Sequence, residues 1–512
     1  MRMHSEIAAA KHTLIKIVIA VNLIVFLVYL IMINTVTKLD PNSPWAVFLP
    51  PRWYPGVNDV PADQFNQWGG MLFVAAVTGI FILSYKNFTL KISYLKFLLF
   101  AYFFTYLVTF SFVLMSSNSL NQYILQARSV NNGIVYSIGH LLGLEDFANS
   151  DWFGRVQYIF QILSSNYADY TIPGTTHPPG FFLIFFAIAG IVKLLSYNDS
   201  INVLMVYWTL IVTAINCLLV PLVLLIVRKI FGNEYSRGAL SFVVTIPSIA
   251  FHICAMGEII GSVLLLFGVY IILHLNTKVQ TGYISNSNVF FASFFAGSAF
   301  ITAAQLSYSQ IVPVLSISIA ALIAFYKSLK SILLLVVSGY LLPVFTYFIF
   351  EFLISNGESF YPIRALYISN IVDTVLLNPI RPYPTSQIAN WIIMSVYGGI
   401  LFIPTLLIIL LGRKKYYLLI GFSKSNTNLN FIFCATYLMA IGLILSRTAH
   451  LEVERVWHWF LPFVWILSVP ILFNKLLPEF KFKGRIVVAS RLIPSLQLMM
   501  TIFLATYLID YY

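Results

Sequence analysis

Thirteen apolar runs, most of them about 17–25 residues long, follow one another along this 512-residue chain. A helix needs about 20 apolar residues to cross the hydrocarbon core of a bilayer. The runs are 13–35, 70–85, 93–115, 202–227, 238–256, 259–275, 288–304, 309–326, 331–353, 390–412, 430–446, 456–474 and 487–509. The pattern predicts an all-α integral membrane protein, a single polytopic domain over 1–512 with about 13 transmembrane helices.

Composition excludes a soluble enzyme. Apolar residues make up 59% of the chain and charged residues 9%, whereas soluble domains carry about 25% charged residues. The net charge of +12 is interpreted as cytoplasmic loops rich in Lys and Arg, so we expect no nucleic-acid partner. The cysteines, Cys217, Cys254 and Cys434, all lie in apolar stretches, which indicates neither a disulfide framework nor a metal cluster.

Charge also decides the orientation and the status of a fourteenth apolar run, 179–196. If this run does not cross and the N-terminus is cytoplasmic, 21 basic and three acidic residues lie inside, against nine and fifteen outside. If it does cross, the basic clusters 413–415 and 481–485 fall outside, against the positive-inside rule. The prediction is therefore a re-entrant or surface-lying helix over 179–196, with the C-terminus non-cytoplasmic, in a cell inner or plasma membrane.

Two long loops on the outer side, 116–178 and 354–389, hold most of the candidate chemistry. In the first, 121–142 and 150–165 have the pattern of short amphipathic helices lying at the interface. The loop ends in His177-Pro-Pro-Gly180, directly before an apolar helix. Prolines suit the first turn of a helix, and polar donors at such a helix start suit a phosphate.

Three further places carry charge beside apolar helices. Glu258 precedes two isoleucines, where a carboxylate is costly and therefore indicates function. Arg455 follows Glu452 and Glu454 at the start of a span, and an arginine there can bind a phosphate with two hydrogen bonds. The second long loop adds Arg381 near Tyr383.

This layout resembles the GT-C membrane glycosyltransferases, in particular the protein O-mannosyltransferase and aminoarabinose-transferase branch. The resemblance rests on an Asp in the first large outer loop, Asp151, followed 26 residues later by His177-Pro-Pro, and on an acid at the position of Glu258. It covers the chain from about residue 97 to the last span. Two departures are Trp152 after Asp151, where the family often has Glu, and Gly180, where the family has Leu.

The resemblance implies a sugar donor linked to a polyprenyl phosphate, an acceptor hydroxyl on a glycan, lipid or protein, and neither a cofactor nor a metal. Asp151 would be the general base and Glu258 the second acid of the catalytic pair. The other expected site residues are His177, Arg455, Arg381 and Arg155 at the donor phosphate, and Asp169, Glu452, Glu454 and Tyr383 at the acceptor.

Two other functions fit the same sequence. A polytopic transporter or a flippase for lipid-linked glycans would also need many spans, and it would place broken helices and polar residues near the middle of the membrane. The best polar interruption is 305–310, interpreted as an outer loop. A ligase or polymerase that joins finished lipid-linked glycans would share the outer-face site and differ in its donor.

The predicted orientation can be tested by cysteine labelling. Single cysteines placed at 196–200 and at the C-terminus are both expected to react with a membrane-impermeant reagent added from the non-cytoplasmic side, because both lie outside in this topology. Protection at either position, with labelling from the cytoplasmic side, would contradict it.

Overall fold

The computed structural model describes most of the chain after residue 92, with gaps. The described stretches are 92–117, 201–252, 257–282, 285–324, 336–354, 383–420, 426–445, 458–473, 480–482, 485–487 and 489–511. Shorter pieces are 20, 24–25, 27, 74–80, 154, 180, 184, 187–188 and 333–334.

Helices make up nearly all of these stretches. In the first part of the chain they are α1 (Tyr94–Ser117), α2 (Ile201–Asn216), α3 (Leu219–Phe231), α4 (Asn233–Val244), α5 (Pro247–His252), α6 (Gly257–Gln280), α7 (Asn286–Ala304), α8 (Ile311–Ala324) and α9 (Leu342–Ile354). A 3₁₀ turn (Tyr308–Gln310) precedes α8 and a π-helical turn (Val337–Leu341) precedes α9. The later helices are α10 (Tyr383–Tyr397), α11 (Phe402–Leu410), α12 (Arg413–Ile420), α13 (Thr427–Leu445), α14 (Leu461–Phe473) and α15 (Ala489–Tyr511).

Five helical segments are long and apolar enough to cross a membrane. They are Tyr94–Ser111, Tyr207–Phe231, Glu258–Gln280, Asn286–Ala304 and Thr427–Ile444. The coarse prediction, a helical protein with several helices long and apolar enough to span a membrane, is confirmed. The last predicted span, 487–509, coincides with the 23-residue helix α15, which is not among these five. Most other predicted spans within the described residues are shorter or interrupted helices, and the count of thirteen stays a prediction.

One small departure from the all-α prediction lies in the basic segment between the last two spans. Strands β1 (Phe480–Phe482) and β2 (Arg485–Val487) form an antiparallel hairpin. Its register pairs Phe480 with Val487, Lys481 with Ile486 and Phe482 with Arg485. A two-stranded hairpin of this length contributes little stability by itself.

The two ends of the helix bundle can be followed along α6, whose 24 residues span about 36 Å. At its C-terminal end, side-chain hydrogen bonds join Tyr94 with Ser236 (2.8 Å), Asn426 with Ile230 (3.2 Å) and Asn276 with Asn428 (2.6 Å). Cations gather there: Arg228, Lys229, Arg237, Lys278 and Arg413. We call this the basic end, and the opposite end, where α6 begins, the Glu258 end.

Helix α14 runs between the same two ends. Its last residue, Phe473, packs edge-on against Tyr235 at the basic end, with ring centroids 6.1 Å apart. Its first residue, Leu461, therefore lies toward the Glu258 end, and so does the turn 458–460 that precedes it.

Two helical segments are broken part-way along. The backbone turns between α4 and α5 at Thr245 and Ile246, before Pro247, which cannot donate the next helical hydrogen bond. It turns again between α10 and α11 at 398–401, where Gly399 has φ +88°, a conformation that glycine adopts without a Cβ clash. Both breaks leave main-chain groups without helical partners inside an apolar bundle.

Gln497, in the middle of α15 and fully buried, joins the two breaks. Its Oε1 accepts a hydrogen bond from the Ile400 N–H at 3.2 Å. Its Nε2 donates to the Phe242 carbonyl and to Thr245 Oγ1, both at 2.9 Å. One amide side chain thus supplies a partner to main-chain groups at both breaks.

Two other side chains donate hydrogen bonds to main-chain carbonyls at the breaks. Thr501 Oγ1 donates to the Thr245 carbonyl at 2.9 Å, and Trp465 Nε1 donates to the Gly398 carbonyl at 3.0 Å. Because these groups are bonded to one another, the breaks are part of the packed core.

The contact between Gly399 and Gln497 can be tested with a matched pair of glycines. A Cβ at position 399 would lie 2.5 Å from Gln497 Oε1, whereas at Gly412, with φ +102°, it would meet nothing within 4 Å. Both alanine variants carry the backbone strain of about 1–2 kcal/mol. Only Gly399→Ala also displaces Gln497, which adds about 1–3 kcal/mol for buried groups left unpaired.

We therefore expect Gly399→Ala to lower the thermal unfolding midpoint of the detergent-purified protein clearly more than Gly412→Ala, followed by tryptophan fluorescence. Equal unfolding midpoints for the two variants would show that the hydrogen bonds of Gln497 do not stabilise the two breaks.

Candidate functional site

Of the predicted site residues, the structure describes the side chain of Glu258 and the backbone of Tyr383. The others lie outside the described residues: Asp151, Arg155, Asp169, His177, Arg381, Glu452, Glu454 and Arg455. The interfacial helices predicted for 121–142 and 150–165, and most of the run 179–196, lie outside them as well.

Glu258 is the second residue of α6 and is only 6% exposed. A carboxylate in the first turn of a helix is stabilised by the helix dipole, but burial of its charge costs several kcal/mol unless polar groups solvate it. The sequence placed this acid at the end of the run 238–256, whereas the structure places it in the first turn of the following helix.

A polar turn, residues 305–310, packs against this helix start. It connects α7 to α8 and contains the 3₁₀ turn Tyr308–Gln310. Gln310 is 1% exposed, and its Nε2 donates to the Glu258 main-chain carbonyl at 3.4 Å. A Cβ on Gly261 would lie 2.9 Å from that nitrogen, so glycine lets the Gln310 amide lie flat against the first turns of α6.

Not every polar atom of this cluster is used within the described structure. Gln310 Oε1 and the hydroxyl of Ser262, one turn after Glu258, are buried and make no hydrogen bond to a described residue. Buried polar groups are normally bonded to protein or water. A water molecule or a ligand hydroxyl at the Glu258 end could therefore form hydrogen bonds with these two atoms.

The same turn also contacts the His-Pro-Pro-Gly motif. Gly180 is helical and half-buried, and a Cβ there would lie 2.4 Å from the Gln305 carbonyl oxygen. Only glycine permits so close an approach of the two backbones. This supplies a reason for Gly180 where the resembled family has Leu.

His458 lies in the turn before α14 and was not among the predicted site residues. It is 1% exposed, its ring meets Trp465 edge-on at 6.0 Å, and the Ser248 backbone of α5 lies beside it. Neither ring nitrogen, nor Nε1 of the adjacent Trp459, makes a normal hydrogen bond to a described residue. The sequence signal was a histidine between two tryptophans, three residues after Arg455.

Tyr383 is the first residue of α10, which packs against α5. Helix α5 also carries the Ser248 backbone beside His458 and is followed, after the gap 253–256, by α6. The start of α6, the polar turn and His458 thus lie toward one end of the bundle. Among the described residues, no group of three His, Cys, Asp or Glu side chains is placed to hold a metal ion.

The chain has no match among models of known protein families or among curated protein sequences.

The contact of Gly180 with the polar turn predicts a stability effect. Gly180→Ala would place a methyl group against a main-chain carbonyl, which cannot move as a side chain does, at a cost of about 1–3 kcal/mol. We expect a thermal midpoint a few degrees lower, whereas Ala187→Ser, at an exposed position in the same apolar run, should leave it unchanged. A Gly180→Ala protein as stable as the wild type would contradict the close backbone contact between Gly180 and Gln305.

Proposed function

We propose that this protein is a membrane glycosyltransferase that moves a sugar from a polyprenyl-phosphate donor to an acceptor hydroxyl at the Glu258 end of the bundle. The observation that carries the proposal is the polar turn 305–310, which contacts the glycine of the His-Pro-Pro-Gly motif on one side and the start of the Glu258 helix on the other. The two elements are 78 residues apart in sequence.

Covalent connectivity limits how far the other candidate residues lie from this end. A fully extended chain spans at most about 3.6 Å per residue. His177 is three residues before Gly180, and Arg455 is three residues before His458. These two candidate phosphate ligands are therefore tethered within about 11 Å of a described residue in this half of the bundle.

The proposed chemistry needs a carboxylate as base and cations at the donor phosphate. In the proposed reaction the acceptor oxygen attacks the anomeric carbon and its proton passes to a carboxylate, with Asp151 as base. The bond from the anomeric carbon to the phosphate oxygen breaks, and the electron pair leaves with the phosphate. His177, Arg155, Arg381 and Arg455 stabilise the charge that develops there.

Glu258 would orient the acceptor rather than bind the anionic phosphate, because its buried charge repels a phosphate and attracts hydroxyl donors. Ser262 and Gln310 offer unused polar atoms beside it. With the positive-inside rule, the basic end is cytoplasmic in this proposal and the Glu258 end faces the opposite side of the membrane, where polyprenyl-phosphate sugars serve as donors.

The broken helices favour a second candidate, a transporter or flippase, because such proteins bind substrates where helices unwind near mid-membrane. At these breaks, however, Gln497, Thr501 and Trp465 are hydrogen-bonded to the main-chain groups. A substrate-binding site at the breaks would need some of these main-chain groups to bond to the substrate instead of to side chains. We therefore rank transport second.

Substitution of the acids tests the proposed chemistry. Asp151→Asn is expected to lower sugar transfer from polyprenyl-phosphate donors by about 10²–10⁴-fold, the usual contribution of a general base. Glu258→Gln should lower transfer too, because it removes the charge that orients the acceptor. The readout is incorporation of labelled sugar by membranes supplied with a panel of such donors.

Glu234→Gln is the matched control, since Glu234 is an exposed carboxylate in the first turn of α4 at the basic end. It should transfer sugar normally. Asp169→Asn, Glu145→Gln and Asp146→Asn test the competing acids of the outer loop. If Asp169→Asn alone is inactive, the base is misassigned; if all the acid variants are active, the transferase proposal fails and a flippase assay in liposomes becomes the deciding measurement.

A further inference from the structure

A cluster of cations at the basic end is distinct from the proposed transferase site. Arg228 lies over the ring of Tyr94, with its guanidinium carbon 3.9 Å from the ring centroid, a cation–π geometry that holds the side chain in place. Lys229 is within electrostatic range of Arg228 and Lys278, and His274 of Lys229 and Lys278. These groups come from α1, α3 and α6.

The charged neighbours of Lys229 and of His274 among the described residues are all basic. Cations brought together from two helices repel one another, and an anion between them removes that repulsion. Scattered lysines that merely mark the cytoplasmic side would have no reason to converge.

Apolar surface continues from this cluster toward the middle of the bundle. On α6, Phe267, Tyr270, His274 and Lys278 are spaced three or four residues apart and so share one face. Phe267 is 44% exposed at the apolar end of this row, and Lys278 is exposed at the other.

The neighbouring α3 repeats the pattern. Leu218, Leu222, Leu225 and Lys229 have the same spacing, and Leu218 is 42% exposed. Since α3 and α6 pack side by side and their lysines interact, the two rows border one groove, cationic at the basic end and apolar deeper in the membrane.

We propose that this groove binds an anionic phospholipid, with its phosphate among Arg228, Lys229, His274 and Lys278 and an acyl chain along Leu218 and Phe267. A phospholipid carries a negative headgroup and an apolar chain in this order, and basic pockets between transmembrane helices bind such headgroups. A free phosphate would use the cations but leave the apolar rows uncovered.

The charge requirement is tested with the full-length protein in nanodiscs of phosphatidylcholine containing graded phosphatidylglycerol. Each cation near an anionic headgroup contributes about fivefold in affinity. We expect Lys229→Gln with Lys278→Gln to weaken phosphatidylglycerol binding by about 25-fold, measured by lipid retention in native mass spectrometry and by the lipid-dependent thermal midpoint.

Arg413→Gln with Lys414→Gln is the matched control, because both cations are exposed at the same end and lie outside the groove. It should change binding by less than about twofold, a small part of one cation's contribution. Phe267→Ser keeps every cation and should still reduce retention, because it removes the acyl contact. Inorganic phosphate at the same concentration should not raise the midpoint.

Equal losses in the groove variant and the control, or unchanged retention in Phe267→Ser and the groove variant, would overturn the proposal. Stabilisation by inorganic phosphate alone would replace the lipid with a free anion. A change of oligomeric state in the groove variant, with lipid retention unchanged, would show that a second copy covers the groove.

Discussion

Inside a lipid bilayer every backbone N–H and C=O must find a partner within the protein, because no water is there to bond it. An unbroken helix meets this requirement by itself. This chain interrupts two of its helical segments, at 245–246 and at 398–401, and each interruption exposes main-chain groups that must be bonded elsewhere. The packing of α4, α10, α11, α14 and α15 supplies these partners. The buried amide of Gln497 forms hydrogen bonds at both interruptions.

The two ends of the bundle answer different physical demands. At the basic end, side-chain amides and hydroxyls join neighbouring helix ends, as in the bond of Asn276 to Asn428, and aromatic rings hold arginines in place. At the Glu258 end, several buried polar atoms have no described partner. Among the described residues, the Glu258 end therefore offers polar atoms to a ligand, whereas the basic end offers cations to an anion.

Parts of this arrangement could be predicted from local pattern. The apolar runs have helical length, and the described stretches that overlap them are helices. Glu258 was predicted at the end of the run 238–256; it lies instead in the first turn of the next helix, buried. His458 was not predicted as a site residue. Its burial depends on packing against Trp465 and against α5, which is far from it in sequence. The role of Gly180 was equally hidden, since its close contact is with the backbone at Gln305, 125 positions later.

The sequence by itself determined the class of protein, because a charged fraction of 9% and repeated apolar runs leave no stable state outside a membrane. It also located most helical stretches, but it did not predict the interruptions at 245–246 and 398–401. Tertiary structure alone decided which helix ends meet, that Gln497 joins two distant breaks, and that the polar turn 305–310 touches both Gly180 and the Glu258 helix. Helix packing in a bilayer depends on small residues and close backbone approach rather than on hydrophobic pattern. An apolar helix face that contacts lipid therefore has the same sequence pattern as one that contacts protein.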